Sequence, residues 1–264
     1  MTNPLLTSIE DNGVATVTLN RPELHNAFND DLIWELNNVF TKLGENDEVR
    51  AIVLTGAGKS FSAGADLNWM KEAASYTNEQ NLRDAQNLSD MLAAVNNCPK
   101  PTIAIVNGAT FGGGVGLVSC CDIAIGVYGS MFSLSEVRLG LTPATISPYV
   151  IAAIGERSAR RYFLTAERFT AEEAKNIGLV HEVAPSLQEA FTRANALIKN
   201  ILAGAPGAQA DAKDLIASVA GQEITETLRT DTAQRIADRR GSPEGQEGLT
   251  AFLEKRKPNW SADK

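Results

Sequence analysis

The most constraining feature of the sequence is residues 101–136, in which no charged residue occurs before Asp122. Thr102–Val106 is a mostly β-branched run, which predicts a short buried strand. Three consecutive glycines, Gly112 to Gly114, follow it, and the apolar segment Val115–Cys120 comes directly after them. This order predicts a strand, a glycine-rich junction and the start of a buried helix.

The glycine-rich junction is a candidate binding site. Glycines without a Cβ let the backbone approach a ligand closely, and the first N–H groups of a helix have no intrahelical partner and can face a developing negative charge. Glu136 is the first carboxylate after Asp122. The stretch therefore predicts a site with amide donors and one carboxylate. The alternative is that the glycines serve only the close packing of a helix on a strand.

Two other interpretations of this stretch are excluded by its residues. It is long enough to span a membrane, but its glycines and Asn107 would leave backbone groups unsatisfied in lipid. Its glycine spacing matches neither the dinucleotide-binding nor the phosphate-binding loop motif, and it contains no Lys or Arg.

The rest of the chain alternates between strand and helix patterns, which predicts an α/β core. Strand patterns occur at 15–19 and 51–54, and amphipathic helix patterns at 29–42 and 79–95. The pattern after Glu136 is mainly helical, and a break at 204–207 divides the chain into a predicted core, 1–204, and a C-terminal helical region, 205–264. A helical region of that size forms little core alone, so we expect it to pack on the body or on another subunit.

Composition limits the partners and the compartment. The net charge of −8 argues against nucleic acid as a partner. Cys98, Cys120 and Cys121 are odd in number and lie in largely apolar sequence, so they predict buried thiols in a reducing compartment. The first residues lack the features of a targeting segment, and no His/Cys/carboxylate cluster predicts a metal. We expect a cytoplasmic protein that does not enter membranes.

Four motifs together resemble one family. They are FSAGADL at 61–67, KPTIAIVNGATFGGG at 100–114, CDIAI at 121–125 and SEVRLG at 135–140. This set is similar to the crotonase superfamily, which includes the enoyl-CoA hydratases and isomerases, and the similarity extends over nearly the whole chain. The resemblance implies a spiral of repeated ββα units with a C-terminal helical region that builds homotrimers, or hexamers made of two trimers.

The resemblance also assigns roles to individual residues. The backbone amides of Ala65 and Gly113 would hold the thioester oxygen of an acyl-CoA, and Glu136 would be the catalytic carboxylate. Coenzyme A enters as part of the substrate, so no separate cofactor is expected. The residues that map to contacts with the coenzyme A moiety are Leu24, His25, Asn26, Ser62, Ala63, Gly64, Asp66 and Leu67, together with Phe252 and Lys255, which often reach a neighbouring subunit.

Two positions depart from the family pattern. The common hydratases use two glutamates, and the position of the first is Gly116 here, whereas Glu136 occupies the second. A lysine that binds the coenzyme A phosphates in some members is replaced by Asn68. A single carboxylate can still take a proton from water and deliver one to carbon on the same face. It can equally move a proton along an allylic system, as in the family's isomerases.

The leading interpretation is a hydro-lyase that adds water to an α,β-unsaturated acyl-CoA. The sequence at 112–150 most resembles methylglutaconyl-CoA and isohexenylglutaconyl-CoA hydratases of leucine and acyclic-terpene degradation. Arg138 could pair with the distal carboxylate of such a substrate, or it could form a structural ion pair. The alternatives are an enoyl-CoA isomerase, a decarboxylase of a glutaconyl-type thioester, and an acyl-CoA-binding or RNA-associated protein without catalysis.

Overall fold

The computed structural model describes residues 3–261, which form ten strands and ten α-helices. The strands are β1 (Leu5–Ile9), β2 (Val14–Leu19), β3 (Ala51–Gly56), β4 (Ser60–Ser62), β5 (Thr102–Val106), β6 (Ala109–Phe111), β7 (Ile123–Val127), β8 (Met131–Ser133), β9 (Phe169–Thr170) and β10 (Glu182–Ala184). The helices are α1 (Asp30–Glu45), α2 (Leu67–Ala73), α3 (Asn78–Asn96), α4 (Gly113–Ser119), α5 (Ser147–Thr165), α6 (Ala171–Asn176), α7 (Leu187–Ala203), α8 (Pro206–Val219), α9 (Glu226–Gly241) and α10 (Pro243–Leu253). None of these helices is long and apolar enough to cross a bilayer.

The strands form two sheets that the chain visits in turn. The larger sheet has the order β1-β2-β3-β5-β7-β10, and the smaller has the order β4-β6-β8-β9. The pairs β3-β4, β5-β6 and β7-β8 each place one strand in each sheet, and each pair is followed by helical structure. Parallel pairing links β3 to β5 and β5 to β7. The α/β fold class and the spiral of ββα units are therefore confirmed.

The local patterns account for the elements around the glycine-rich stretch. Helix α1 begins where Asn29 accepts the N–H of Leu32 at 3.1 Å, a side-chain N-cap. Strand β5 has the bounds that its β-branched run predicts. Helix α4 begins at Gly113, before the apolar segment that predicted it, because the glycines themselves take up the first turn.

The thiols lie in the core, as predicted. Cys98, Cys120 and Cys121 are free and buried. Burial raises the pKa of each thiol, that of Cys121 to about 12, so they are not reactive thiolates. No group of three or more His, Cys, Asp or Glu side chains that could hold a metal ion occurs within 3–261.

The predicted break between core and helical region falls between α7 and α8. Arg50 bridges this break, because its guanidinium donates to the carbonyl oxygens of Leu202 at 3.3 Å, Gly204 at 2.9 Å and Trp260 at 3.1 Å. Of these bonds, the one to Trp260 fastens the helical region to the core of the same chain. The division into two domains stays a prediction, and residues 262–264 lie outside the described residues.

Candidate active site

Phe28 joins the two glycine-rich loops. Its N–H donates to the Gly64 carbonyl at 2.7 Å, and its carbonyl accepts the N–H of Asp66 at 2.8 Å. Its ring lies against the first residue of α4, since a Cβ built on Gly113 would be 3.0 Å from Cε2 of Phe28. The backbone of Phe28 therefore pairs with the Ala65 loop while its ring contacts Gly113, so the two predicted oxyanion residues lie next to the same residue.

The amides of Ala65 and Gly113 are available to a ligand. Neither N–H donates a hydrogen bond to another residue between 3 and 261. Gly113 is the first residue of α4, where backbone N–H groups carry the partial positive charge of the helix. The arrangement suits a ligand oxygen that becomes negative, and the use of this pair as an oxyanion hole stays a prediction.

The turns that present these amides require glycine. Gly112 has φ +51° and ψ −119°, and Gly64 has φ +93°. Gly64 also lies close to backbone, because a Cβ there would be 3.3 Å from the carbonyl oxygen of Phe111. The N–H of Gly112 donates to the Ser133 carbonyl at 2.9 Å, which fixes the junction on β8.

Glu136 lies beside the same junction. It begins a 3-10 turn, Glu136–Leu139, and its Oε1 would be only 3.2 Å from a Cβ on Gly112. Its Oε2 is buried and has no hydrogen-bond partner among the described residues. Burial raises the pKa of this carboxyl above its ordinary value, with a smaller opposing effect from its own backbone N–H. A carboxyl of this kind suits proton transfer near neutral pH.

The space beside Gly116, the position of the glutamate that this chain lacks, is already occupied. Gly116 is buried in α4, and a Cβ built on it would overlap Cγ2 of Ile146 and lie 2.7 Å from the Cβ of Ile146. Ile146 itself is 2% exposed. A side chain at 116 therefore cannot be accommodated unless Ile146 moves.

Six of the predicted site residues line one cavity of about 490 Å³. The predicted members of the lining are Leu24, His25, Ala63, Ala65, Asp66 and Leu67, and the further members are Glu23, Ala27, Asn68 and Lys71. Asn26, Ser62 and Gly64 do not line it; Asn26 and Ser62 are fully buried. The cavity is thus built from the turn before α1, the loop before α2 and the first turns of α2.

Asn26 and His25 shape the turn that lines the cavity. Both have positive φ, and Asn26 is fully buried. The Asn26 side chain accepts the N–H of Arg21 at 2.8 Å and donates to the carbonyls of Ala57 at 2.9 Å and Ser60 at 2.7 Å. Asn26 therefore supports the turn from inside, whereas His25 lines the cavity.

Asp66 organises the loop that carries Ala65. Its carboxylate accepts the N–H of Asn68 at 2.8 Å, which caps α2, and it pairs with Arg21 at 2.7 Å. Burial alone would raise the pKa of Asp66, but the Asn68 N–H and the Arg21 guanidinium outweigh it and lower the pKa. Asp66 is a charged anchor of the loop as well as part of the cavity lining.

Two cationic side chains near the site, those of Lys71 and Arg138, form no ion pair with a described residue. Lys71, which sequence analysis missed, lines the cavity one helical turn after Asn68. Its spacing of three from Asn68 would have suggested it only if a helix had been predicted there. Arg138 is exposed in the turn that Glu136 begins. Neither side chain forms an ion pair with a described residue, so the expected alternative of a structural ion pair for Arg138 is wrong within this range.

Phe252 and Lys255 lie at the C-terminal end of α10. Phe252 is 81% exposed, and Lys255 has φ +55°. Neither residue lines the cavity of its own chain. Their contact with coenzyme A stays a prediction, and if this cavity holds coenzyme A, Phe252 and Lys255 would have to come from another subunit.

Comparison with known proteins identifies the family. The enoyl-CoA hydratase/isomerase profile matches residues 9–263. A putative enoyl-CoA hydratase of Thermus thermophilus is 34% identical over 255 residues, 97% of this chain and 100% of the relative. The short-chain-enoyl-CoA hydratase of Clostridium acetobutylicum is 34% identical over 247 residues, 92% of each chain. The crystal structure of an enoyl-CoA hydratase from Shewanella pealeana matches with TM-score 0.94 and 44% identity, over 97% of this chain and 96% of that one. The chain is therefore an enzyme of the enoyl-CoA hydratase/isomerase family, within the crotonase superfamily that its motifs resemble.

Proposed function

We propose that the enzyme adds water across the double bond of an α,β-unsaturated acyl-CoA, with coenzyme A as part of the substrate and no separate cofactor. The observation that carries this proposal is the half-buried carboxyl of Glu136, whose Oε2 has no partner among the described residues and whose Oε1 lies against Gly112. The free amides of Ala65 and Gly113 are neighbours of the same junction.

Hydration then proceeds with one carboxyl in two roles. The thioester oxygen accepts hydrogen bonds from the amides of Ala65 and Gly113, each worth about 3–4 kcal/mol if they behave like other oxyanion donors. The Glu136 carboxylate takes a proton from water as the water oxygen bonds to C3, and the π electrons move toward the thioester oxygen. Glu136 then delivers that proton to C2, so that the product carries H at C2 and OH at C3.

The raised pKa of Glu136 supports this double role. A group that must first accept and then donate a proton works best when its pKa lies near the working pH. Burial moves the pKa of Glu136 in that direction. Double-bond isomerisation is the second candidate function, because it needs the same amides and only one carboxyl, and the space at Gly116 admits no second one.

For the substrate we propose a branched glutaconyl-type thioester. Arg138 supports this choice, since it is exposed, free of ion pairs with described residues, and two residues beyond Glu136. A carboxylate at the distal end of the acyl group needs such a cation to offset its desolvation. At the other end of the substrate, Lys71 is placed to meet the coenzyme A phosphates in place of the lysine that Asn68 replaces.

We also propose a homotrimer, or a hexamer of two trimers, in the cytoplasm. Helices α8 and α9 have no fully buried residue. The large apolar side chains exposed on the helical region are Leu215, Ile216, Ile224, Ile236, Leu249, Phe252 and Leu253. Such a surface needs an apolar partner, and a second subunit would bring Phe252 and Lys255 to a neighbour's cavity. Light scattering of the purified protein measures the assembly.

The test of the reaction is product analysis with three substrates. Purified protein is incubated separately with crotonyl-CoA, 3-methylglutaconyl-CoA and a 3-enoyl-CoA, and the products are identified by mass spectrometry. Hydration adds the mass of one water, decarboxylation removes carbon dioxide, and isomerisation leaves the mass unchanged but moves the double bond. We expect hydration, fastest with 3-methylglutaconyl-CoA. Isomerisation or decarboxylation as the main reaction would contradict the proposed hydration. No conversion of any of the three substrates would support a non-catalytic protein.

A further inference from the structure

One face of α4 carries no side chain of its own and is covered by its neighbours. The N–H of Gly116 donates to the Gly112 carbonyl at 3.2 Å, so the two glycines stack about one helical turn apart. Glu136 covers Gly112, and Ile146 covers Gly116. Ile146 therefore lies about one turn along the helix from the Glu136 carboxyl.

Ile146 is firmly held in that position. It precedes α5, where its carbonyl accepts the N–H of Val150 at 3.0 Å, and its side chain is 2% exposed within the main core. A β-branched side chain in a packed core has few alternative rotamers. Ile146 thus forms a fixed apolar wall, and it occupies the volume that any side chain at 116 would need.

The side chain of Ile146 can be located relative to C2 and C3 of the bound acyl group. If the amide of Gly113 holds the thioester oxygen and Glu136 exchanges protons with C2 and C3, the double bond must lie beside the first turn of α4. The substituent on C3 then points along the helix or away from it. Ile146 covers the next turn of the same face, so a substituent directed along the helix would approach its side chain.

We propose that Ile146 is a specificity-determining residue, which limits the size of the substituent on C3 of the acyl group and keeps a second acid out of the site. This inference rests on the proposed function. It predicts that a small residue at 146 admits acyl groups whose C3 substituent, such as a phenyl ring, is larger than the methyl and carboxymethyl groups of 3-methylglutaconyl-CoA and is rejected by the native enzyme.

The first test compares two substrates that differ only in that substituent, a methyl in crotonyl-CoA and a phenyl in trans-cinnamoyl-CoA. In Ile146→Ala, the ratio of kcat/KM for cinnamoyl-CoA to that for crotonyl-CoA should rise by about tenfold or more, the size of effect that a few methylenes in a pocket produce. Ile154→Ala is the matched control, because Ile154 is a buried residue of the same α5 and loses the same atoms. Its ratio should change less than about threefold. Equal ratios in the two variants would overturn the proposal.

Binding separates this inference from the reaction itself. The dissociation constants of butyryl-CoA and 3-phenylpropanoyl-CoA, which have no double bond to react, should show the same selective gain in Ile146→Ala. A native enzyme that turns over none of crotonyl-CoA, cinnamoyl-CoA and 3-methylglutaconyl-CoA would refute the proposed function, yet the ratio of these constants would still decide the role of Ile146. An unchanged binding ratio would contradict it.

A second pair of variants tests the contact between Gly116 and Ile146. Gly116→Ala should lower Tm by about 4–8 °C, because overpacking of a core is destabilising. In an Ile146→Gly background, with Ile146→Gly alone as the reference, Gly116→Ala should lower Tm by less than about half as much, since the overlapping atoms are gone. Independent, additive effects would show that Ile146 does not close the space at 116.

Discussion

Oε1 of Glu136 lies against the backbone of Gly112, so close that a Cβ at 112 would be 3.2 Å from that oxygen. The contact sets the carboxyl beside the residue that precedes the first free amide of α4. It exists because Gly112 adopts φ +51° and ψ −119°, a conformation that a residue with a side chain rarely adopts. The acid and the candidate oxyanion donor are therefore placed by the same glycine junction.

Gly113→Val should reduce kcat at least about a hundredfold, the loss expected when an oxyanion donor is displaced. The valine Cβ would meet the ring of Phe28 at 3.0 Å and push the amide away from its position. The measurement is steady-state kinetics on the assembled variant, with circular dichroism and light scattering as folding controls. A folded Gly113→Val enzyme with native kcat would show that the oxyanion hole lies elsewhere.

Arg138→Met should lower kcat/KM for 3-methylglutaconyl-CoA by about ten- to a hundredfold, or about 1.4–2.8 kcal/mol, through loss of the cation that meets the distal carboxylate. Crotonyl-CoA has no such carboxylate, and its kcat/KM should change much less. Both substrates are measured on one preparation, which controls for misfolding. Equal losses would make Arg138 structural, and a native enzyme inactive on 3-methylglutaconyl-CoA would refute the proposed substrate class.

Lys71→Met should raise KM for acyl-CoA by about three- to tenfold with little change in kcat, because an exposed cation–phosphate contact is worth about 1 kcal/mol. The native affinity should also fall with added salt more steeply than that of the variant. Lys42→Met is the control, since Lys42 lies on α1 outside the cavity lining. If both variants bind alike and show the same salt dependence, Lys71 does not meet the phosphates.

Much of this site could be predicted from the sequence, because its key features are local. The β-branched run before the glycines marks β5, and the glycines themselves mark the start of α4. Glu136 stands out because it follows a long stretch with few charges. Each of these signals depends on neighbours within a few residues, where periodicity and backbone freedom determine the structure.

The rest depends on contacts between residues far apart in the chain. Phe28 and Gly113 are 85 positions apart in the sequence, and nothing in either segment predicts that they meet. Ile146 fills the space at Gly116 from a later loop, and no spacing rule relates the two. The ββα repeat is likewise a repeat of backbone geometry, since its units differ in length and residues.

Glu136→Gln should stabilise the protein at neutral pH relative to the native enzyme. Because burial raises the pKa of Glu136 in the folded state, its protonated form contributes stability that is fully present below the unfolded pKa and is lost as pH rises through the folded pKa. Glutamine cannot ionise and does not undergo this loss. The Tm difference between variant and native protein should therefore grow from about pH 4 to about pH 8. The exposed Glu223→Gln is the control, and a pH-independent difference for Glu136→Gln would contradict the raised pKa.

The turnover of Glu136→Gln tests the central claim most directly, namely that one carboxyl carries both proton transfers. An amide has the shape of the carboxyl but cannot exchange its proton, so kcat should fall by about 10²–10⁴-fold. The dissociation constant of butyryl-CoA, measured on the same preparation, should stay within about threefold of native, because Glu136 does not line the cavity proposed to hold coenzyme A. A variant that retains more than about a tenth of native kcat, a loss under about 1.4 kcal/mol, would show that another group performs the chemistry.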